Sequence, residues 1–295
     1  MIFDIHTHTP THRTEVPKEE EAWSTVNRPD RWAKTTVSYA EYDAAAKEAE
    51  VEVSVVFNIA VENPGRDTLL PADPGRINDA TADFVADAPD RRIGFLSVHP
   101  LVPGAMEEME RAIEDLHLKG VKLGPNYQNF DPLSEEADRV YTEAERRGLP
   151  VLFHQGASPI QNAPLHYAHP LTIDQIAIRH PDLRIVMAHM GHPWQADTVV
   201  VIRKHPHVYA DVSALYYRPW SFYNSMRLAT EWSVLPKLLL GSDYPIITPK
   251  ETIDGLRNVN APVEGTGLPR VPEDAIEEII HRDSLSLLGL ERPSA

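Results

Sequence analysis

The sequence contains no cysteine, so disulfides and thiolate metal sites are excluded and any metal must be held by His, Asp or Glu. No basic run offsets the net charge of -16, which argues against nucleic acid and anionic membrane surfaces as partners. Selectivity for an anionic substrate would therefore have to come from a few local arginines. Long apolar runs are missing too. Nothing reads as a spanning segment or a signal peptide, Met1 enters a strand-like run directly, and a cytoplasmic protein is the default expectation. No Gly-x-Gly-x-x-Gly follows that first run, which weakens a dinucleotide-binding fold.

What is present is the composition of a soluble globular protein, 42% hydrophobic and 24% charged over 295 residues, with ample length for a core. Apolar runs predict strands over residues 1–8, 51–58, 93–98, 120–123, 151–154, 184–189, 208–211 and 238–242. Helices alternate with them. Ser38-x-x-Glu41 is a capping box opening a helix to about residue 50, and helical spacing covers 77–88 and 106–116. Ser134, followed by Glu135 and Glu136, starts a helix that runs to Arg147 and stops at Gly148. Thr172-x-x-Gln175 is expected to cap a helix ending near His180, residues 194–204 form another, and 272–288 closes the chain with Pro272 in its first turn. Strands buried on both faces and alternating with helices imply an α/β protein. Eight of them favour a (β/α)8 barrel, read as one domain over 1–295. Residues 9–35 form a long polar passage without periodicity, a candidate lid.

In such a barrel the active residues sit at the C-terminal ends of strands. His6 and His8 end the first strand two residues apart, on one face; His154 ends the fifth, His189 the sixth, and Asp243 follows the eighth. Five metal-competent groups from four strand ends converge on one mouth, the pattern of a metal site.

His6-Thr-His8, Val-Leu-Phe-His154, Met-Ala-His189-Met-Gly191 and Gly-Ser-Asp243-Tyr-Pro245 together resemble the signature of the amidohydrolase superfamily, in the amidohydrolase-related branch that includes aminocarboxymuconate semialdehyde decarboxylase. The resemblance spans nearly the whole chain and is specific for superfamily rather than reaction. It implies that His6, His8, His154 and Asp243 ligate one divalent metal, usually zinc, and that His189 is a catalytic histidine beside it. Imidazole and carboxylate suit manganese as well. Such a ligand set leaves a position for water, with Asp243 orienting it or taking its proton and His189 donating to developing negative charge. A homodimer is suggested by the same resemblance.

Other residues are weighed beside these. Lys122 ends the fourth strand, where some amidohydrolases carry a carboxylated lysine bridging two metals; a structural or substrate-facing role is expected here. Asp211 ends the seventh strand and is positioned to accept a hydrogen bond from substrate or from a metal-bound histidine. Arg218 and Arg66 are the candidate carboxylate clamps, because a guanidinium pairs bidentately with a carboxylate. His192 is expected to pack its loop, and His12, His166, Tyr167 and His169 to be solvated loop side chains.

The expected function is hydrolysis of an ester, lactone or amide of a small molecule by metal-activated water. The alternative is a non-oxidative decarboxylase acting on an unsaturated or aromatic carboxylic acid. A non-enzymatic metal-binding module leaves His189 without a role.

Overall fold

The computed structural model describes residues 1–24, 32–60 and 74–294. Eight parallel strands follow one another among them: β1 (Phe3–His8), β2 (Val53–Phe57), β3 (Arg92–Gly94), β4 (Val121–Leu123), β5 (Val151–Phe153), β6 (Ile185–Met187), β7 (Val208–Asp211) and β8 (Leu238–Leu239). The ladder breaks twice in regular pairing and is bridged both times. Leu96 N donates to Gly120 O at 2.8 Å, joining the end of β3 to β4, and Ile5 N donates to Leu240 O at 3.0 Å, joining β8 back to β1. Asp243 N to His6 O and His8 N to Tyr244 O, both 2.8 Å, extend that second seam. The sheet is therefore a closed (β/α)8 barrel, as the strand count predicts.

Each strand is followed by a helix: α1 (Tyr39–Glu48), α2 (Pro74–Asp87), α3 (Ala105–Glu114), α4 (Glu135–Arg147), α5 (Pro170–Arg179), α6 (Gln195–Lys204), α7 (Pro219–Glu231) and α8 (Pro249–Arg257), with α9 (Glu273–Ile280) and α10 (Ser284–Leu287) closing the chain. The reciprocal Ser38–Glu41 box starts α1. Ser134 caps α4, whose first turn is acidic and whose last turn is basic, and Gly148 ends it in the left-handed region at φ 69°. Side chains alternate along the strands. Leu152 packs with the barrel interior, while Val151 and Phe153 join the layer shared with Ile173 and Ile176 of α5.

Two expectations need correction. The α5 helix begins at Pro170, not at Thr172, because the His169 side chain accepts from Leu171 N and Thr172 donates to His169 O instead. The closing segment is two helices, broken at residues 281–283, with Pro272 at the N-cap position rather than inside the first turn. Helix α8 carries a reciprocal Thr248–Glu251 box of the same kind as that of α1.

Residues 9–35 are described only in part. Thr9 N bonds Phe57 O, His12 bridges to Ser38, and Trp23–Ser24 pairs antiparallel with Ala33–Lys34. Arg66 lies outside the described residues. No helix among the described residues is long and apolar enough to cross a membrane.

Candidate metal centre

The geometry of β1 creates the site. Its register against β2 runs Asp4↔Ser54 and then Thr7↔Val56, so β1 carries one extra residue, a bulge. The bulge falls at Ile5 and His6, so Phe3 and Ile5 pack into the barrel interior while His6 and His8 also face one mouth, with ring centroids 5.8 Å apart. Phe57 lies beneath both rings, at 5.2 and 5.4 Å. Across the β1–β8 seam, Asp243 Oδ1 stands 3.3 Å from His6 Nε2 and 3.1 Å from His8 Nε2. Gly241 permits this approach: a Cβ there would lie 2.7 Å from His6 Cβ.

Asp211 decides how His6 is used. Its Oδ2 lies 2.8 Å from His6 Nδ1, and its Oδ1 accepts from His189 N at 2.9 Å, Ser213 N at 3.1 Å and the Ser213 hydroxyl. Of the two roles open to Asp211 in sequence, the structure displays contact with the histidine. Four protein donors, three on Oδ1 and one on Oδ2, and complete burial keep this carboxylate turned to the protein rather than to substrate. Burial alone would raise its pKa, yet the His6 charge and these bonds hold it well below the usual carboxylate range.

A carboxylate only accepts, so His6 Nδ1 carries the hydrogen and neutral His6 presents a bare Nε2. That lone pair faces the lone pairs of Asp243 Oδ1 at 3.3 Å. Two acceptors at this distance repel unless a cation lies between them. A proton meets the demand in one way: burial and Lys122 oppose protonation of His6, but Asp211 and Asp243 outweigh them and its pKa is raised. A divalent metal meets it with His8 and Asp243 as further ligands, the three ligand atoms lying within 4.8 Å of one another.

His154 sits at the end of β5, buried, with Tyr127 packed on its ring at 4.4 Å and His189 edge-on at 5.1 Å. Its Nε2 has no hydrogen-bond partner among the described residues. Of the seven buried side-chain atoms in that condition, five belong to Asn126, His154 and Gln155, at the ends of β4 and β5. An orphaned imidazole nitrogen near this cluster fits a ligand whose metal completes it, and the donor set of imidazoles and a carboxylate suits a divalent ion. The set His6, His189 and Asp211 also lies within 4.8 Å, but Asp211 is spent on protein donors.

His189 and Asp243 share a backbone oddity. Both adopt left-handed conformations, at φ 56° and 70°, which cost ~1–3 kcal/mol each in non-glycine residues. The turn over Ala188–Gly191 swings the His189 ring to 5.0 Å from His6. Burial lowers its pKa to about 4. Burial also lowers His8 and His154, while Asp243, against the effect of burial, is held well below the usual range by bonds to His6 and His8.

The remaining candidates divide. Lys122 is buried in the barrel with its Nζ 4.6 Å from the Phe57 ring; burial lowers its pKa to about 7, against the pull of Asp211 and Asp243. Arg218 is half-buried, its guanidinium 4.6 Å from the Tyr217 ring, and its charge adds to the burial that lowers His192 to about 4. His192 bonds Gln195 at 2.6 Å and its carbonyl accepts from Ala157, a loop-packing role. His169 caps α5, His12 pairs with Glu20 at 2.8 Å, and His166 stacks on Tyr167 at 4.2 Å. Ser213, Tyr127, Asn126 and Gln155 escaped the sequence reading. Only Ser213 left a signal, since it follows the strand-end residue Asp211 by two.

A family profile described as Amidohydrolase matches residues 3–282. Among solved structures, the chain is similar to a probable 2-pyrone-4,6-dicarboxylic acid hydrolase from Acinetobacter baumannii with citric acid bound, at TM-score 0.62 and 16% identity over 98% of this chain and 99% of that one. A dihydroxybenzoic acid decarboxylase from Polaromonas sp. JS666, with bound manganese and the inhibitor 2-nitroresorcinol, gives TM-score 0.64 and 15% identity over 98% and 96%. A 4-oxalomesaconate hydratase from Rhodopseudomonas palustris gives 0.60 and 14% over 98% and 96%. Three reaction types share this barrel, so the fold does not select among them.

Proposed function

The chain belongs to the amidohydrolase family, whose members are enzymes that use a divalent metal, and from that premise we propose that it is a metal-dependent hydrolase of a small carbonyl compound, an ester, lactone or amide. The observation that carries the reading is the confrontation of His6 Nε2 and Asp243 Oδ1 at 3.3 Å, two acceptors that a cation must separate. His6, His8, Asp243 and His154 are the proposed ligands, and zinc is proposed over manganese. When bound, the ion supplies a Lewis acid for the carbonyl and lowers the pKa of water. The chain's own groups do the rest. Asp211 holds His6 in the tautomer that aims Nε2 at the site, Phe57 keeps water from beneath the two rings of β1, and His189 handles the proton beside the cluster.

Arg218 is the proposed contact for a carboxylate borne by the substrate. Arg218→Lys removes the bidentate fork, so KM for acidic substrates should rise while neutral esters are unaffected; equal effects on both would end that assignment. Residues 9–35 are proposed as the lid because they leave β1 directly after His8. Shortening them should change substrate preference with metal retained, and unchanged kinetics on every substrate would leave them a surface feature.

The deciding experiment is elemental analysis followed by a screen of lactones, esters, amides and carboxylic acids, reading acid production against carbon dioxide release. One zinc per chain with acid production is expected. Release of carbon dioxide would replace hydrolysis by decarboxylation, and full turnover by metal-free protein would end the metal-dependent reading.

A further inference from the structure

Ser213 lies two residues beyond the end of β7 and is fully buried. Its Oγ is 2.5 Å from Asp211 Oδ1 and 2.7 Å from His189 Nδ1, with His6 Nδ1 farther off at 3.3 Å. A hydroxyl has one proton to give. Asp211 already accepts from His6 Nδ1, His189 N and Ser213 N, so it is the anion of the group, and the Ser213 proton must go to it. The oxygen can then only accept from His189, which requires that His189 Nδ1 bear the hydrogen. The Ser213 carbonyl, 3.3 Å from the same nitrogen, is a second acceptor and makes the same demand.

We propose that Ser213 is a positioning residue that locks His189 in its Nδ1–H tautomer, leaving Nε2 as a bare lone pair that accepts a proton rather than donating to an oxyanion. The chain His189–Ser213–Asp211–His6 thus sets two tautomers from one carboxylate. It turns His6 Nε2 toward the metal ligands and makes His189 Nε2 the proton acceptor. This reverses the donor role expected for His189 from sequence. In the proposed hydrolysis, on which only this step rests, one O–H bond of water breaks and its proton passes to His189 Nε2. The oxygen's electron pair forms the bond to the carbonyl carbon as the carbonyl π pair moves onto its own oxygen; when that pair returns, the C–O or C–N bond breaks and the departing alcohol or amine takes the proton from His189. The imidazolium formed in between is stabilised through Ser213 by the Asp211 charge, as a buried aspartate stabilises the histidine of a hydrolytic triad.

The test is nitrogen-15 spectroscopy of histidine-labelled protein, with and without zinc, His189 being assigned by the signals lost in His189→Asn. The expected wild-type signature is a pyrrole-like Nδ1 and a pyridine-like Nε2. Ser213→Ala should mix the tautomers and lower kcat by about 100-fold with KM nearly unchanged, and Ser213→Thr, which keeps the hydroxyl, should restore both signature and rate. Wild-type His189 protonated at Nε2 overturns the assignment, as does a Ser213→Ala protein with unaltered signature and rate. Carbon dioxide release by a protein with the Nδ1–H signature ends the hydrolytic reading alone and leaves the tautomer assignment supported.

Discussion

At the ends of β1, β7 and β8 the functional side chains are held against one another: His6 bonds Asp211, Asp211 bonds Ser213, Ser213 bonds His189, and Asp243 Oδ1 is set against His6 Nε2 and His8 Nε2 at 3.3 and 3.1 Å. At the ends of β4 and β5, by contrast, Asn126, His154 and Gln155 keep five buried polar atoms without a partner among the described residues. An unmet buried donor or acceptor costs about 1–3 kcal/mol, whereas a satisfied network costs nothing further and resists displacement. The first side is a scaffold in which only the facing acceptors His6 Nε2 and Asp243 Oδ1 still call for a cation. The second is the side with hydrogen-bonding capacity left for an incoming ion or molecule. The structural departures follow the same division. The bulge in β1 and the left-handed residues His189 and Asp243 all serve the bonded side, where strain is held by several hydrogen bonds at once.

The largest effect expected from this contrast is on Asp211. Asp211→Ala removes the acceptor of four buried donors, and loss of about 3–5 kcal/mol of stability, together with the metal, is expected in thermal unfolding and elemental analysis. A variant that kept both would show that the network is dispensable.

Asp4 is the loose end of the bonded side. Its Oδ1 accepts from Ser242 N at 2.9 Å and His6 N at 3.2 Å, but its Oδ2 has no partner among the described residues. Burial raises its pKa from 3.8 to about 6, against the bonds that lower it. The native state then binds this proton more tightly than the unfolded chain. The contribution is fully present below about pH 4 and is lost as pH rises through 6, amounting to at most about 3 kcal/mol. Metal-free Asp4→Asn should therefore match wild type in melting temperature at pH 4 and exceed it at pH 8. A mutant that loses ground as pH rises would mean that Asp4 is charged and well held.

The two inner histidines should separate the sides kinetically. His189→Asn is expected to keep the metal and lose about 100-fold in turnover, close to 2.7 kcal/mol of barrier, because a proton acceptor rather than a ligand is removed. His154→Asn is expected to lose or loosen the metal, and with it the stability that the metal confers. Equal metal loss in both would make His189 a ligand and cancel the division.

The smallest effect is the most diagnostic of the unbonded side. Asn126→Leu and Gln155→Met replace amides without a partner among the described residues by apolar groups of similar size, so metal-free protein should keep its melting temperature or gain by about 1–2 kcal/mol. A clear drop would reveal bonds that these amides already make, and would put the two sides on one footing.

Much of this protein was legible from sequence because the signals are local. Apolar runs of a few residues mark buried strands, Ser38-x-x-Glu41 and Ser134 mark helix starts, and a residue at a strand's C-terminal end in a barrel must face the mouth. Those rules placed His6, His8, His154, His189 and Asp243 at one rim of the barrel. Tertiary structure alone decided what each can do, since an imidazole's tautomer depends on what its other nitrogen meets. For His6 that partner is Asp211, 205 residues away, and for His189 it is Ser213, held in turn by the same carboxylate. No periodicity encodes such pairings. They arise when the barrel closes and brings β1, β6, β7 and β8 to a common end, where an acceptor-only carboxylate leaves each neighbouring proton one place to go.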